Sequence, residues 1–258
     1  MQNQKSADFP VCEILGVKIA TVNMERTLEL IGDNLSAWSG EYICVSNVHT
    51  TVTAYEDPDY LAVQNGAVMA LPDGKPLSVA AKRRGFDGAD RVTGPDLMGE
   101  IFKISAERGY RHYFYGSTEE TLKILSEKLT ERYPGIQIVG MESPPFRPLT
   151  QDEDNEAVSR INAAAPDFIW VGLGAPKQEF FMAAHKGMLR GLMIGVGAGF
   201  DFHADKIKRA PKWMQKMSLE WFYRLMQDPR RLFRRYLHTN PKYLRLVRRE
   251  NKEFLKKK

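Results

Sequence analysis

The sequence predicts an α/β fold: a parallel sheet flanked by helices, followed by a basic helical appendage at the C-terminus. Three observations predict it. Up to Phe200, short apolar runs alternate with amphipathic helical patterns. Several of those runs are apolar throughout instead of alternating, as expected of strands buried on both faces of a parallel sheet. Strand signals stop near Arg209-Ala210-Pro211, and the remainder is helical and rich in Lys and Arg. Alternating β and α units imply right-handed crossovers and a Rossmann-like core, expected over residues 1–205, with the appendage over 206–258.

Taken in order, the expected strands are GVKIA (16–20), YICVSNV (42–48), AVMAL (67–71), RHYFYG (111–116), IQIVG (136–140), DFIWVGLG (167–174) and LMIGVGAGF (192–200). The helices between them carry their own punctuation. In TEETLKILSEKLTERYPG, Thr118 precedes an acidic first turn and Pro134-Gly135 ends the helix. In TQDEDNEAVSRINAAAP, the start lies near Thr150 or Gln151 and Pro166 closes the pattern. Past the last strand come KWMQKMSLEWFYRLMQ and DPRRLFRRYLHTN, the second with Asp228 as N-cap and Pro229 at the first helical position. With the strand signals complete by Phe200, the body is expected to fold without the appendage. The Trp and Met stripe of the first appendage helix is expected mostly to pack against that body, its Trp, Tyr and Phe beside Arg also suiting a bilayer interface.

Composition bounds the function. At 258 residues, 43% hydrophobic and 27% charged, the chain reads as a soluble globular protein. It has no run of about 18 apolar residues and no start resembling a secretory signal, so neither a span nor export is expected. Cys12 and Cys44 form no metal-ligand pattern and suit a reducing cytoplasm. The net charge of +5 hides an asymmetry: residues 206–258 hold 18 Lys or Arg against four acids, whereas the first 205 hold 19 against 28. A basic tail on an acidic body points to an anionic partner: nucleic acid, a phosphate-bearing substrate or anionic lipid.

Open α/β sheets keep their chemistry at the carboxyl ends of strands, so polar residues there are the candidates. VSNVHTT ends in Asn47, a turn residue by type and also a partner for a sugar hydroxyl or a uracil-like ring. His49 beside it suits a hydrogen-bonded surface position as well as catalysis. LPDGKPL sets Asp73 in a Pro-Asp-Gly turn after an apolar strand, where it is either punctuation or a strand-end base. In DRVTGPDLM, Arg91 precedes a Gly-Pro helix start, as an ion-pair residue or a phosphate ligand. VGLGAPKQE brings Lys177 and Gln178 to a glycine-rich strand end, and GVGAGFDFHAD supplies another, where small residues let a ligand approach the backbone. These glycines make no dinucleotide fingerprint, because GVGAGF lacks the G-x-G-x-x-G spacing, lies late in the chain and precedes what reads as loop. No Walker A sequence is present. The acid pairs DPD (57–59) and DED (152–154) imitate the metal-binding DxD of sugar transferases. Each instead opens a helical pattern, where acids suit the positive dipole end, and no metal is expected.

SNVHT, LPDGKPL, DRVTGPDLM, VGLGAPKQE, GVGAGFDF and RAPKWMQKMSLEWFYRLMQDPRRLFRRY occur in that order. Together they resemble the WecG/TagA/CpsF family of glycosyltransferases over residues 12–245, the long last motif being the most specific. The resemblance implies inverting transfer of a sugar from a UDP donor to a lipid-linked acceptor. Typical cases are N-acetylmannosamine, or its uronic acid, joined to GlcNAc on undecaprenyl diphosphate for teichoic acid linkage units, enterobacterial common antigen, capsule or exopolysaccharide. It further implies an α/β core, a basic appendage that touches the membrane, a cytoplasmic enzyme peripheral to the inner membrane face, and no cofactor. Carried over motif by motif, Asp73 is the general base, and Asn47, Arg91 and Gln178 line its pocket. Arg224, Arg231 and Arg234 close over the donor diphosphate. Two stretches depart from the family pattern. Ser218-Leu219-Glu220-Trp221 stands where many members have Gly-Leu-Glu-Trp, and His203-Ala204-Asp205 where aromatic-Ala-Gly is commoner.

Those residue types suit the reaction. Inverting transfer is one displacement at the anomeric carbon, with a carboxylate taking the acceptor hydroxyl's proton. The departing nucleoside diphosphate gains negative charge, which fixed arginines offset through bidentate contacts in place of a metal. The tail then has two tasks, diphosphate and anionic lipid, each Lys or Arg near the membrane contributing roughly 1 kcal/mol. The rivals are a nucleic-acid-binding protein using the basic tail and a nucleotide-dependent oxidoreductase. The first lacks a helix-turn-helix or RNA-binding signature, and the second lacks the glycine fingerprint. The expected partners are therefore a UDP-sugar, a polyprenyl-diphosphate-linked acceptor and an anionic membrane, with no nucleic acid; a homo-oligomer is compatible with all of them.

Overall fold

The computed structural model describes residues 9–211, 213, 214, 217 and 219–256, with the side chains of Arg231 and Leu255 outside the description. A hairpin of β1 (Val11–Ile14) and β2 (Val17–Ala20) leads into α1 (Met24–Asn34). Then follow β3 (Tyr42–Ser46), α2 (Val48–Glu56), α3 (Pro58–Gly66), β4 (Met69–Pro72), α4 (Lys75–Arg83) and α5 (Gly94–Arg108). The chain continues through β5 (Arg111–Gly116), α6 (Glu119–Arg132), β6 (Gln137–Glu142), α7 (Gln151–Ala163) and β7 (Phe168–Gly172). After α8 (Lys177–Ala184), β8 (Leu192–Gly195) and α9 (Gly199–His203) come two appendage helices, α10 (Glu220–Gln227) and α11 (Pro229–Leu255).

The strands form one eight-stranded sheet in the order β1-β2-β4-β3-β8-β7-β5-β6, parallel except for the β1–β2 hairpin. The α/β class read from the sequence is the one observed. The apolar strands have a direct cause. Along β3, Tyr42 and Cys44 enter one apolar layer while Ile43 and Val45 enter the other, and the buried Ser46 at its end donates to Gln64 at 2.6 Å. The expected helix starts also appear: Thr118 caps α6 by accepting from the Thr121 N–H, and Thr150 with Glu153 closes a capping box on α7.

Two stretches differ from expectation. β1 has no counterpart among the expected strands, because its turn is Leu15-Gly16, and a leucine at φ +51 is a poor hairpin signal. Burial of the Leu15 side chain holds it there. The last expected strand stops at Gly195, since Gly197 turns to φ +53 and the Gly199 N–H closes onto the Val196 carbonyl at 3.0 Å. What was expected as strand and loop is the short helix α9.

The appendage is fastened to the body. α11 crosses α2 and α4, and its Tyr243 and Val247 join the same apolar layer as Cys12, Ile14 and Leu77. The Tyr243 hydroxyl donates to the Pro76 carbonyl at 3.0 Å. Those contacts hold the turns beyond Pro241, so α11 runs through a proline that would otherwise end it. Arg84, almost wholly buried, reaches Glu250 at 2.7 Å and Asn251 at 2.7 Å, and Glu250 accepts from the Leu15 N–H at 3.2 Å. Removing residues from 206 onward would therefore bare part of the core and leave Arg84 without a counter-charge, which weighs against a body that folds unaided. Glu250→Ala should lower the unfolding free energy by about 3 kcal/mol, because it strands a buried guanidinium. Urea denaturation checks this; a loss under about 1 kcal/mol would mean that the remaining Arg84 partners suffice.

α10 packs otherwise than expected. None of its residues is buried, and Trp221, Phe222 and Met226 are exposed, as are Trp213 and Met217 before it and Phe233, Leu237 and Leu244 on α11. Met214 of the stripe is buried, but most of its large apolar side chains look outward. Among the described residues, no helix is long and apolar enough to cross a membrane.

Candidate active site

β3 and β4 lie side by side with Ser46 opposite Pro72, so the residues that leave them, Asn47 and Asp73, emerge at one edge. Asn47 caps α2: its Oδ1 accepts from the N–H groups of His49 (3.0 Å) and Thr50 (3.2 Å), and its own N–H donates to Thr50 Oγ1 at 2.8 Å. With its oxygen engaged in the cap, Asn47 lies beside the Asp73 carboxyl and pulls its pKa down. The Asp73 N–H donates to the Ser46 carbonyl at 2.8 Å, which pins the Pro-Asp-Gly turn across the strand pair.

Asp73 keeps a partly open edge, while protein packs around its carboxyl. That burial pushes its pKa up to about 6; Arg91 and Arg224 pull it down, Glu220 pushes it up, and the neighbouring Asn47 amide pulls it down. Above pH 6 it is an ionised carboxylate, more basic than an ordinary aspartate. His49, close along the same edge, is neutral at such a pH. Burial and the nearby Arg235 lower its pKa to about 4 against the opposing pull of Glu56.

An ion-pair network faces Asp73. Arg91, in the loop before α5, makes a close ion pair with Glu220 at the start of α10. Glu220 also lies 3.4 Å from Arg209 Nε, and Arg209 grips Asp96 with two nitrogens at 2.7 and 3.1 Å. Thr93, the N-cap of α5, donates to Asp96 at 2.6 Å. Burial pushes the Asp96 pKa up, but the Arg209 and Thr93 hydrogen bonds outweigh it and hold the carboxyl below its usual range. The Phe202 ring of α9 has two guanidiniums near its centre, Arg209 at 5.5 Å and Arg224 at 5.6 Å. α10 thus brings Glu220 and Arg224, one turn apart, to the edge that holds Asp73.

Of the residues singled out from sequence, Asp73, Asn47, Arg91 and Arg224 come together. Gln178 is buried, with its Oε1 accepting from the Gly197 N–H at 3.0 Å and its Nε2 donating to Glu179 at 2.8 Å, so it ties α8 to the glycine loop after β8. Arg234 is exposed on α11. The Arg231 side chain and Ser218 lie outside the described residues. Arg209, Glu220, Asp96 and Phe202 complete the cluster without having stood out in the sequence. The stretch around Arg209 reads there as a boundary. Glu220 had one usable signal: a lone acid amid so many Lys and Arg has cations competing to pair with it.

Among the described residues, no three His, Cys, Asp or Glu side chains gather as metal ligands. The acids of the two DxD-like stretches act at helix starts. Asp57 accepts from the N–H groups of Asp59 (3.0 Å) and Tyr60 (3.2 Å), and Asp152 and Asp154 lie in the first turn of α7.

Fold and cluster define a class, an α/β protein with a charged cluster at the carboxyl edge of a parallel sheet, the edge at which such folds bind ligands. The profile described as "Glycosyl transferase WecG/TagA/CpsF family" matches residues 12–257, and the chain belongs to that family. Its relatives include proteins named N-acetylglucosaminyldiphosphoundecaprenol N-acetyl-beta-D-mannosaminyltransferase. The one from Bacillus subtilis strain 168 is 32% identical over 214 residues, covering 83% of this chain and 81% of the relative. Those of Bacillus spizizenii and Staphylococcus aureus are 31% identical over 209 residues (81% and 79%) and 29% identical over 225 residues (86% and 87%). The protein is a glycosyltransferase, and the nucleic-acid and oxidoreductase readings find no support among these relatives.

Proposed function

We propose that the protein transfers N-acetylmannosamine, or a closely related N-acetylhexosamine, from a UDP donor to GlcNAc carried on a polyprenyl diphosphate, by a single inverting displacement. The observation that carries this reading is Asp73, a strand-end carboxyl raised to about 6 by burial, set beside Asn47 and faced by Arg91 and Arg224. Asp73 takes the proton of the acceptor hydroxyl as that oxygen attacks the anomeric carbon. The bond to the nucleoside diphosphate breaks in the same step, and its growing negative charge is met by Arg91 and Arg224, with Arg231 and Arg234 closing from α11. The sugar and acceptor are those in the relatives' names.

The appendage, taken as residues 206–258, completes this site and seats the enzyme on the inner face of the membrane. Trp221, Phe222, Met226, Phe233 and Leu237 are exposed on helices that also carry Arg230 and Arg245, the composition of a face that lies in a lipid interface. A lipid-linked acceptor would then be met where it resides.

The test is a panel of UDP-sugars with a short-chain lipid-diphosphate GlcNAc acceptor. UDP-N-acetylmannosamine should give a disaccharide product of inverted anomeric configuration. Turnover of a different sugar class, or retention of configuration, would overturn the reading. Transfer should also survive excess EDTA, since arginines offset the leaving-group charge. Loss of activity restored by Mg²⁺ or Mn²⁺ would overturn the metal-independent part.

A further inference from the structure

On the donor reading above, we propose that Glu220 holds the place of the donor's diphosphate on Arg91, and that donor binding exchanges one anion for the other. The Arg91–Glu220 pair is no ordinary surface contact. The two side chains are only 19% and 16% exposed, so each is largely stripped of water and depends on its partner. Glu220 also spans to Arg209, 3.4 Å away, and so lies between two of the arginines that face Asp73.

Charge balance explains why an exchange is needed. Three guanidiniums (Arg91, Arg209, Arg224) stand against three carboxyls (Asp73, Asp96, Glu220). Fully ionised, the cluster is neutral and offers no surplus positive charge to a nucleoside diphosphate. One carboxyl has to give way. Asp96 is held by both Arg209 nitrogens and by Thr93, so it is committed to the body. Asp73 is the proposed base and must stay. Glu220 sits at the first turn of α10, a helix with no buried residue, and can swing toward solvent without opening the core. Its departure frees Arg91 and leaves a net positive cluster for the phosphates. Arg224 lies one turn further along the same helix, so the exchange also bears on how Arg224 meets the ligand.

Calorimetric titration with UDP of the wild type, Glu220→Gln, Arg91→Ala and the double variant tests this. Glu220→Gln should bind UDP at least about fivefold more tightly than the wild type, the lower end of an ordinary coupling between sites. Arg91→Ala should bind it more weakly, and in that background Glu220→Gln should give no gain, because the competition acts through Arg91. The acid limb of kcat/KM, which reports the free enzyme, should move to lower pH in Glu220→Gln, because the carboxylate that raises the Asp73 pKa is gone. The limb of kcat should stay put, since Glu220 has already left in the donor complex. Equal or weaker UDP binding by Glu220→Gln would overturn the exchange and make Glu220 a prop for Arg91. A gain that persists without Arg91 would overturn it too. Should Glu220→Gln not fold, Glu220→Asp, which keeps the charge on a shorter arm, should show a smaller gain of the same sign, and no gain would count against the exchange. Failure of the wild type to bind UDP would strike the donor reading itself, and this inference with it, an outcome distinct from all the others.

Discussion

Asp73→Asn is expected to lose transfer activity by roughly a thousandfold while melting at a higher temperature than the wild type at neutral pH. The first half follows from the base: an amide of the same shape cannot accept the acceptor's proton, and such proton transfer contributes about 10²–10⁴-fold. The second half follows from the sign of the pKa shift. The folded-state value, about 6, lies above the ordinary 3.8, so the folded protein binds this proton more tightly than the unfolded chain does. Stability from this group is full below about pH 4, falls as the pH rises to about 6, and stays reduced above that. The gap corresponds to at most about 3 kcal/mol, and less in practice because the carboxyl keeps an open edge to water. Asparagine carries no charge and avoids the cost. Melting curves at pH 7.5 should therefore separate the two proteins, and curves at pH 4 should bring them together. Wild-type transfer should fall as the pH drops through about 6. A variant with near-wild-type turnover at saturating acceptor would return Asp73 to the role of a turn residue.

What was legible in the sequence, and what was not, divides along a physical line. A strand buried on both faces is mostly apolar, so β3, β5, β7 and β8 are visible in one dimension despite the buried Ser46 and His112, and Asn47 and Asp73 stand out as polar residues at strand ends. Local caps are equally visible, because Thr118 and Thr150 satisfy N–H groups only three residues away. Pairings between distant elements leave no such trace. Arg91 and Glu220 are 129 residues apart, and Arg84 and Glu250 are 166 apart, so neither partner announces the other. Periodicity marks Trp221, Phe222 and Met226 as an apolar face of α10 but does not say what covers it. In the structure that face looks outward. The same blindness hid how firmly Tyr243 and Val247 seat the appendage on the body.

That seating decides how the two tasks of the appendage have to be separated. Truncation would disturb the core, so point substitutions are the cleaner instrument. Arg224→Ala should lower kcat on a water-soluble acceptor by about a hundredfold, the effect of losing one group that meets transition-state charge, about 3 kcal/mol. Its binding to anionic vesicles should change little, because one cation among many contributes only roughly 1 kcal/mol near a charged surface, and Arg224 is turned toward Phe202 and Asp73. Arg231→Ala should follow Arg224→Ala. Replacing Met226, Phe233 and Leu237 together by serine should do the reverse. Each is more than half exposed, at 69%, 56% and 64%, so the fold has little to lose. A lipid interface that takes up three such side chains gains several kcal/mol, so vesicle binding should weaken by about a hundredfold or more. Vesicle co-sedimentation and the soluble-acceptor assay on the same variants read the two effects apart. If Arg224→Ala keeps its turnover, the arginine does not meet the diphosphate. If the triple serine variant still sediments with vesicles as the wild type does, the outward face of α10 and α11 is not the membrane contact, and the basic residues alone must hold the enzyme there.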